Sequence, residues 1–216
     1  DFFALGILAW MYTRDTEAVN AWIDEKFSGD DAVRQANRRA LSAGHAFGET
    51  AELGANAVIV PASKRAPGTY RSVDGNTALA WGLIAAGVCA ELPVFLGSYP
   101  ITPASAILHE LARHPDAGVR TFQAEDEIAA ITSAIGPAFG GDLAVTTTSG
   151  PGLALKAEAL GLAVSLELPL IVVDIQRGGP ATGLPTKTEA SDLMIAMDGR
   201  HGESPLPVIS ASRPGE

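Results

Sequence analysis

Cysteine is almost absent from this sequence, because Cys89 is the single one among 216 residues. One thiol cannot close an internal disulfide, and it cannot supply the four thiolates of a structural zinc site or of an iron–sulfur cluster. The histidines His109, His114 and His201 do not have the spacing of metal ligands. We therefore expect no metal on this chain, a reducing compartment such as the cytoplasm, and a core position for Cys89 in its apolar stretch.

Positive charge and long apolar runs are also scarce. The 15 lysines and arginines are outnumbered by 25 aspartates and glutamates, which gives a net charge of −10 at pH 7. This charge opposes binding to nucleic acid and to acidic membrane surfaces. The longest apolar run, residues 2–12, is shorter than the roughly 18 residues that a membrane-spanning helix needs. We expect neither kind of partner.

The two ends of the sequence suggest a piece of a longer polypeptide. Residue 1 is Asp1, and no secretory signal follows it. Near the other end, residues 207–210 have the composition of an opening strand. We expect the last domain to be truncated at residue 216.

The first fifty residues have a helical pattern without visible chemistry. Helices are predicted over 17–27, where Asp15 or Thr16 can cap the first turn, and over 32–47. Residues 56–60 form a short β-like run, and a stretch with proline, glycine and basic residues follows it. We therefore expect a helical segment over 1–53, a linker over 54–72 and a domain over 73–216.

From residue 73 onward, short apolar runs alternate with helical patterns of small residues. Strands are predicted at 93–96, 119–122, 143–146 and 170–175, with helices over 76–86, 103–113, 125–139 and 152–166. This β-α order predicts an α/β fold with a doubly wound, mainly parallel sheet. Ligands of such sheets bind outside the carboxyl ends of the strands.

Four polar segments follow the predicted strands. They are Tyr99-Pro100-Ile101-Thr102-Pro103, Gln123-Ala124-Glu125-Asp126-Glu127, Thr146-Thr147-Thr148-Ser149-Gly150-Pro151-Gly152 and Asp174-Ile175-Gln176-Arg177-Gly178-Gly179-Pro180. Each one alone also has a structural explanation: a stiff turn, acids at a helix start, a tight turn with glycines, and a surface arginine. The glycines match neither a P-loop nor a dinucleotide fingerprint.

Glu127 and Arg177 stand out among these residues. Apolar or small residues follow Glu127 directly, and an inward-facing carboxylate is costly there unless something binds it. Arg177 stands at the mouth of the strongest predicted strand, where its planar fork suits a carboxylate ligand. We expect both side chains to face a ligand.

Together these segments resemble the 2-oxoacid:ferredoxin oxidoreductases, in particular the α subunit of the 2-oxoglutarate type with a γ domain fused in front. The matching motifs occur in the family's order: Asp74-Gly75-Asn76-Thr77-Ala78, Tyr99-Pro100-Ile101-Thr102-Pro103, Glu125-Asp126-Glu127-Ile128-Ala129-Ala130, Thr148-Ser149-Gly150-Pro151-Gly152 and Gly179-Pro180-Ala181-Thr182-Gly183-Leu184-Pro185-Thr186-Lys187. The resemblance implies that 1–53 is the helical end of the γ domain and that 73–216 is a pyrimidine-binding domain of a thiamine diphosphate enzyme.

The resemblance also implies roles for individual residues. Glu127 would hydrogen-bond the aminopyrimidine of thiamine diphosphate, and we expect Ile128, Ala129 and Ile131 to bury it. Thr102 and Arg177 would anchor the substrate carboxylate. The remaining cofactor-binding residues would be Tyr99, Pro100, Ile101, Thr148, Ser149, Gly150, Pro151 and Gly152.

The resemblance further implies that this chain supplies half of a site. The Gly-Asp-Gly motif for magnesium diphosphate is missing, since Asp74-Gly75-Asn76 follows Val73. A β subunit would therefore hold the Mg²⁺ and the iron–sulfur cluster. The expected partners are that subunit, ferredoxin, coenzyme A and a 2-oxoacid.

The expected function is a thiamine-dependent, coenzyme A-acylating oxidative decarboxylation, with 2-oxoglutarate as the substrate and ferredoxin as the electron acceptor. Three alternatives stay open. One is a pyruvate or other 2-oxoacid oxidoreductase, because Ala104 and Ala190 depart from residues frequent in relatives. The second is a non-oxidative thiamine enzyme. The third is a non-catalytic α/β interaction module.

Overall fold

The computed structural model describes residues 1–51, 58–61 and 63–216. It divides into two compact units, Asp1–Thr69 and Tyr70–Glu216. In the part of the chain that is described, no helix is both long and apolar enough to cross a membrane.

The first unit contains three helices: α1 over Phe2–Met11, α2 over Glu17–Lys26 and α3 over Asp31–Thr50. Helices α1 and α3 pack closely because glycines face the contact. A Cβ on Gly6 would lie 2.1 Å from the carbonyl oxygen of Leu41, and one on Gly44 would lie 1.9 Å from that of Phe3. The predicted helices 17–27 and 32–47 are confirmed, and the Asp15 carboxylate accepts a hydrogen bond from the Glu17 N–H at 2.8 Å.

The β-like run expected at 56–60 is wrong where it is described. Residues 58–60 are exposed and form no strand, and the Val58 N–H donates to the carbonyl of Met11 at 2.9 Å. Residues 56 and 57 lie outside the described residues. An apolar run becomes a strand only where a neighbouring strand pairs with its backbone, and the described residues offer none there.

The second unit is built on four parallel strands. They are β1 over Val94–Ser98, β2 over Val119–Gln123, β3 over Leu143–Thr148 and β4 over Leu170–Asp174, in the order β2-β1-β3-β4. The register sets Leu96 of β1 between Thr121 of β2 and Val145 of β3. All four strands were predicted from their apolar runs, so this part of the prediction is confirmed.

Helices cover both faces of the sheet. They are α4 over Gly75–Ala90, α5 over Ser105–Leu111, α6 over Glu127–Phe139, α7 over Pro151–Ser165 and the short α8 over Leu193–Asp198. Leu83 of α4 and Ile107 of α5 share one core cluster with Leu96, whereas Ala134 of α6 packs in another with the neighbouring Phe95. Successive strand residues point to opposite faces. The doubly wound α/β fold is therefore confirmed.

Two expectations fail in this unit. Residues 207–210 do not form a strand, and Ile209 is 89% exposed with no strand beside it among the described residues. Cys89 is exposed rather than buried. Gly87 faces the core, where a Cβ would lie 2.5 Å from a methyl of Val94, and Cys89 stands two residues later, about 200° round the helix.

Candidate functional site

The candidate site lies where the winding of the sheet reverses. Strands β1 and β3 are neighbours, yet β1 continues into α5 and β3 continues into α7. Leu108 of α5 and Leu153 of α7 belong to core clusters on opposite faces. The chain thus diverges after β1 and β3 and leaves a crevice at their carboxyl ends, which is the usual ligand position in such sheets.

Hydroxyl groups connect the ends of these two strands. The side chains of Thr146, Thr147 and Thr148 are completely buried. The Tyr99 hydroxyl and the Thr148 Oγ1 are hydrogen-bonded at 2.8 Å, and the Ser98 and Thr147 hydroxyls are bonded to each other. The threonines of β3 therefore fix the end of β1 and hold Tyr99 in place.

Gly152 is the point on which three candidate residues converge. A Cβ at this position would lie 2.1 Å from the Thr148 Oγ1, 2.4 Å from the Tyr99 hydroxyl and 2.9 Å from the Cγ of Glu127. Real Cβ contacts are essentially never shorter than 3.0 Å. Gly152 thus lets α7 approach the sheet closely enough to bring Tyr99, Thr148 and Glu127 together.

Glu127 is the first residue of α6. The preceding Asp126 caps this helix, with its carboxylate accepting a hydrogen bond from the Ala129 N–H at 2.8 Å. Glu127 itself is half-buried. Ile131 is completely buried, but Ile128 is 52% exposed, so the expectation that Ile128 would bury the carboxylate is wrong. Ile128 is one position further round the helix and therefore faces away from the crevice.

The pKa of the Tyr99 phenol depends on its burial and on the charges around it. Burial raises the pKa of the Tyr99 phenol above its usual range, and the adjacent Glu127 carboxylate adds to this shift. The Thr148 hydrogen bond and the positive charge of Arg177 act in the opposite direction. Tyr99 is consequently a neutral hydrogen-bonding group between a carboxylate and a guanidinium.

Arg177 contacts the turn after β3 at Gly150, whereas Tyr99, Thr148 and Glu127 contact it at Gly152. It is only 3% exposed, so the alternative of an ordinary surface arginine is wrong. Its Nη1 donates to the carbonyl of Thr102 at 2.8 Å, and its Cγ would lie 3.3 Å from a Cβ on Gly150. Gly150 has a φ of +51°. This conformation favours glycine, and it lets the turn pass close to the arginine.

Two buried polar atoms beside this turn have no hydrogen-bond partner among the described residues. They are the Oγ of Ser149, whose side chain is completely buried, and the Nε of Arg177. A buried donor without a partner costs roughly 1–3 kcal/mol. These atoms are therefore available to a ligand in the crevice.

The three remaining predicted site residues, Pro100, Ile101 and Thr102, differ in how they contact the site. Ile101 packs in the same cluster as Tyr99, and its N–H donates to the Ser105 hydroxyl at 2.8 Å. Pro100 and the side chain of Thr102 are exposed. Thr102 meets Arg177 through its backbone carbonyl. The loop after β1 therefore reaches the site mainly through Tyr99 and its backbone.

Lys156 is a site residue that we did not predict from the sequence. Its side chain on α7 is completely buried, and its Nζ donates to the carbonyl of Glu127 at 2.9 Å and to the Thr146 Oγ1 at 3.0 Å. The Nζ also lies 5.2 Å from the centre of the Tyr99 ring. One signal was available, because Lys156 follows Gly152 by four residues and therefore shares its helix face.

A pair of carboxyl groups lies beyond the site at the end of β4. Burial raises the pKa of Asp174 to about 8, and the hydrogen bond and charge of Asp192 add to the shift. The Oδ1 of Asp174 and the Oδ2 of Asp192 accept no hydrogen bond from any donor in the described part of the chain. The Asp174 carboxyl group therefore keeps its proton at neutral pH.

Across residues 1–51, 58–61 and 63–216, no group of three or more histidine, cysteine, aspartate or glutamate side chains is arranged to hold a metal ion. The polar groups of the crevice are hydroxyls, one carboxylate, one ammonium and one guanidinium. This set suits an organic ligand with hydrogen-bonding groups and negative charge.

Comparison with known proteins gives consistent matches. The family model described as pyruvate flavodoxin/ferredoxin oxidoreductase, thiamine diphosphate-binding, matches residues 86–216. The chain is 56% identical over its whole length to the 2-oxoglutarate oxidoreductase subunit KorA of Mycobacterium tuberculosis, and 36% identical over 96% of its length to 2-oxoacid:ferredoxin oxidoreductase 1, subunit alpha, of Aeropyrum pernix. It covers 33% of each of these two relatives.

A solved structure is similar as well. It is the 2-oxoglutarate:ferredoxin oxidoreductase of Magnetococcus marinus with 2-oxoglutarate, coenzyme A and succinyl-CoA bound. The TM-score is 0.65 at 37% identity, and the match covers 94% of this chain and 35% of that one. The present chain thus corresponds to about a third of each of these larger proteins.

Proposed function

This chain belongs to the pyruvate flavodoxin/ferredoxin oxidoreductase family and contains its thiamine diphosphate-binding domain, and from that premise we propose that it forms the pyrimidine half of a thiamine diphosphate site. We propose further that the complete protein is the α subunit of a 2-oxoglutarate:ferredoxin oxidoreductase. The relatives named for 2-oxoglutarate support this substrate over pyruvate. One observation carries the proposal: Glu127, Tyr99 and Thr148 converge on Gly152 at the switch point, with Arg177 on the far side of the same turn.

The residues of the crevice fit such a cofactor. Gly150 and Gly152 let the turn pack tightly against Arg177, Tyr99 and Thr148, which holds these polar side chains together beside the crevice. The buried Ser149 Oγ has no partner within the described residues and can bond a ligand. Glu127 is half-buried and its carboxylate reaches the same side. Thiamine diphosphate, when bound, supplies the carbanion-stabilising chemistry that 2-oxoacid decarboxylation requires.

We assign Glu127 the hydrogen bond to the aminopyrimidine ring. A carboxyl group at the start of α6 can exchange a proton with a ring nitrogen, which is general acid–base catalysis. Tyr99 restricts the position of this carboxylate, and Thr148 restricts Tyr99 through the 2.8 Å hydrogen bond. Ser149, Gly150, Pro151 and Gly152 line the ring, and Pro100 and Ile101 shape the loop opposite.

We assign Arg177 the binding of the substrate carboxylate. Its guanidinium uses Nη1 on the Thr102 carbonyl, and its Nε is buried without a partner in the described part of the chain. The remaining N–H groups can bind a carboxylate in a bidentate manner. Thr102, an exposed residue whose carbonyl accepts from Arg177, would add its hydroxyl to this binding. These two residues would orient the 2-oxoacid before carbon dioxide leaves.

The other half of the site belongs, in this proposal, to a β subunit. That subunit would bind the diphosphate with Mg²⁺ and carry an iron–sulfur cluster that passes electrons to ferredoxin, while coenzyme A accepts the acyl group. Residues 1–53 would be the helical end of a γ domain, 54–72 a linker and 73–216 the pyrimidine-binding domain. The single cysteine fits a cytoplasmic location.

The test uses the complete polypeptide co-expressed with its proposed β subunit, here termed the assembled enzyme. Titration with thiamine diphosphate and coenzyme A-dependent dye reduction are measured with 2-oxoglutarate, pyruvate and a branched 2-oxoacid. We expect cofactor binding and dominant activity with 2-oxoglutarate. Dominant activity with pyruvate would correct the substrate, and decarboxylation without dye reduction would indicate a non-oxidative enzyme. An absence of cofactor binding would support an interaction module instead.

The Glu127→Gln variant tests the assigned role. We expect dye reduction to fall by about 100-fold or more, the range typical of general acid–base catalysis. Glu158→Gln is the matched control, because Glu158 is an exposed carboxylate on α7. Unchanged activity of Glu127→Gln in a folded, assembled enzyme would remove Glu127 from the mechanism.

A further inference from the structure

Lys156 is a buried cation to which no carboxylate of the described residues is bonded. A charged side chain that is completely buried is rare unless it is paired, because removing a charge from water is costly. The two hydrogen bonds of its Nζ go to neutral acceptors, the Glu127 carbonyl and the Thr146 hydroxyl. A methionine would fill the same space on α7 at no electrostatic cost. The ammonium group therefore has a role that packing does not explain.

The position of this group links the elements of the site. Its Nζ joins the first residue of α6 to β3, and α7 carries the lysine itself. The Nζ also lies 5.2 Å from the centre of the Tyr99 ring, which is within the range of a cation–π contact. Lys156 thus ties the backbone of Glu127 to β3.

The positive charge of Lys156 also acts on the residues around it. The titratable groups facing Lys156 are Glu127 and Asp126 at the start of α6 and Tyr99 after β1. Burial lowers the pKa of Lys156 to about 8, whereas Glu127 and Asp126 favour its charged form. The ammonium group is therefore charged at neutral pH and loses its proton in mildly alkaline solution.

We propose that Lys156 is a positioning residue of the cofactor site, whose ammonium group holds Glu127 in place through its backbone and through charge attraction. This inference rests on the proposed function, because it concerns the residue assigned to the aminopyrimidine. The protonated lysine binds the Glu127 carbonyl and attracts its carboxylate toward Tyr99. Deprotonation removes that attraction and loosens the first turn of α6.

The test compares Lys156→Met and Lys156→Gln in the assembled enzyme. Methionine removes the hydrogen bonds and the charge, whereas glutamine removes the charge and keeps an uncharged donor on a side chain that is one atom shorter. We expect the dissociation constant for thiamine diphosphate to rise roughly tenfold in Lys156→Met, since a hydrogen bond from a charged group is lost. The KM for coenzyme A should not change. Lys26→Met is the control, because Lys26 is exposed at the end of α2.

The pH profile separates this role from a purely structural one. In the wild type, affinity for thiamine diphosphate should fall as the pH rises through about 8, where Lys156 loses its proton. Both Lys156 variants should lose this alkaline dependence. A wild-type affinity that stays constant up to pH 9.5 would overturn the proposal without any variant, and so would variants that keep the wild-type affinity and profile.

Failure of this inference is distinguishable from failure of the proposed function. If the wild-type enzyme does not bind thiamine diphosphate at all, the proposed function fails. If it binds the cofactor and Glu127→Gln loses activity, but Lys156→Met and Lys156→Gln behave like Lys26→Met, the role of Lys156 alone is refuted.

Discussion

Gly152→Ala is the substitution whose effect the structure determines most closely. The new Cβ would lie 2.1 Å from the Thr148 Oγ1, 2.4 Å from the Tyr99 hydroxyl and 2.9 Å from the Glu127 Cγ. Thr148 is completely buried and Tyr99 is 4% exposed, so neither side chain can swing away. The methyl group must therefore push α7 from the sheet or break the hydrogen bond between Tyr99 and Thr148.

The expected magnitude follows from two opposing effects. Overpacking a rigid core costs about 1–3 kcal/mol, and a triple clash belongs at the upper end. Alanine in a helix is favoured over glycine by roughly 1 kcal/mol. We expect a net loss of about 2 kcal/mol in the free energy of unfolding. Because Glu127 moves as well, cofactor affinity should fall by roughly tenfold or more, which corresponds to about 1.4 kcal/mol.

Gly161→Ala is the matched control on the same helix. A Cβ at Gly161 meets nothing within 4 Å, so only the helix preference applies and the variant should be slightly more stable than the wild type. Thermal denaturation of the assembled enzyme, with and without thiamine diphosphate, measures both effects. Equal melting temperatures and equal cofactor affinities for the two variants would show that Tyr99, Thr148 and Glu127 do not pack against Gly152 as described.

Two further predictions concern Arg177 and the carboxyl pair. Arg177→Lys should raise the KM for the 2-oxoacid by roughly tenfold while the KM for coenzyme A stays unchanged, because lysine cannot make the planar two-point contact; equal changes in both constants would contradict the assignment. Burial raises the pKa of Asp174 from 3.8 to about 8, so its contribution to stability is complete below pH 3.8 and is lost as the pH rises toward 8. Asp192→Asn removes the neighbouring charge, so its melting temperature should exceed that of the wild type by an amount that grows from pH 5 to about pH 8; a pH-independent difference would contradict the raised pKa of Asp174.

The strands and most helices were predictable because local patterns specify them. The apolar runs of β1 and β4 and the helical spacing of small residues in α6 appear within short windows of sequence. The helix predicted over 125–139 begins two residues later than expected, at Glu127, because Asp126 caps it. The family motifs then indicated which strand ends to combine, and the structure brings Tyr99, Glu127, Gly152 and Arg177 together.

The predictions that were wrong or missing concern positions whose burial or strand pairing depends on three-dimensional packing rather than on the local sequence. Cys89 lies in an apolar stretch, yet the rotation of α4 turns it to solvent while Gly87 faces the core. Residues 207–210 have strand composition but pair with no strand in the described part of the chain. Lys156 was not predicted because a lysine is usually exposed, whereas this one is completely buried between α6 and β3.

Proton exchange at the reactive carbon of bound thiamine diphosphate tests the central claim most directly. It should be measured in the assembled enzyme for the wild type, Glu127→Gln and Glu158→Gln, under conditions that saturate each with cofactor. We predict rapid exchange in the wild type and in Glu158→Gln, and exchange slower by about 100-fold or more in Glu127→Gln. Equally rapid exchange in all three proteins would contradict the assignment of Glu127.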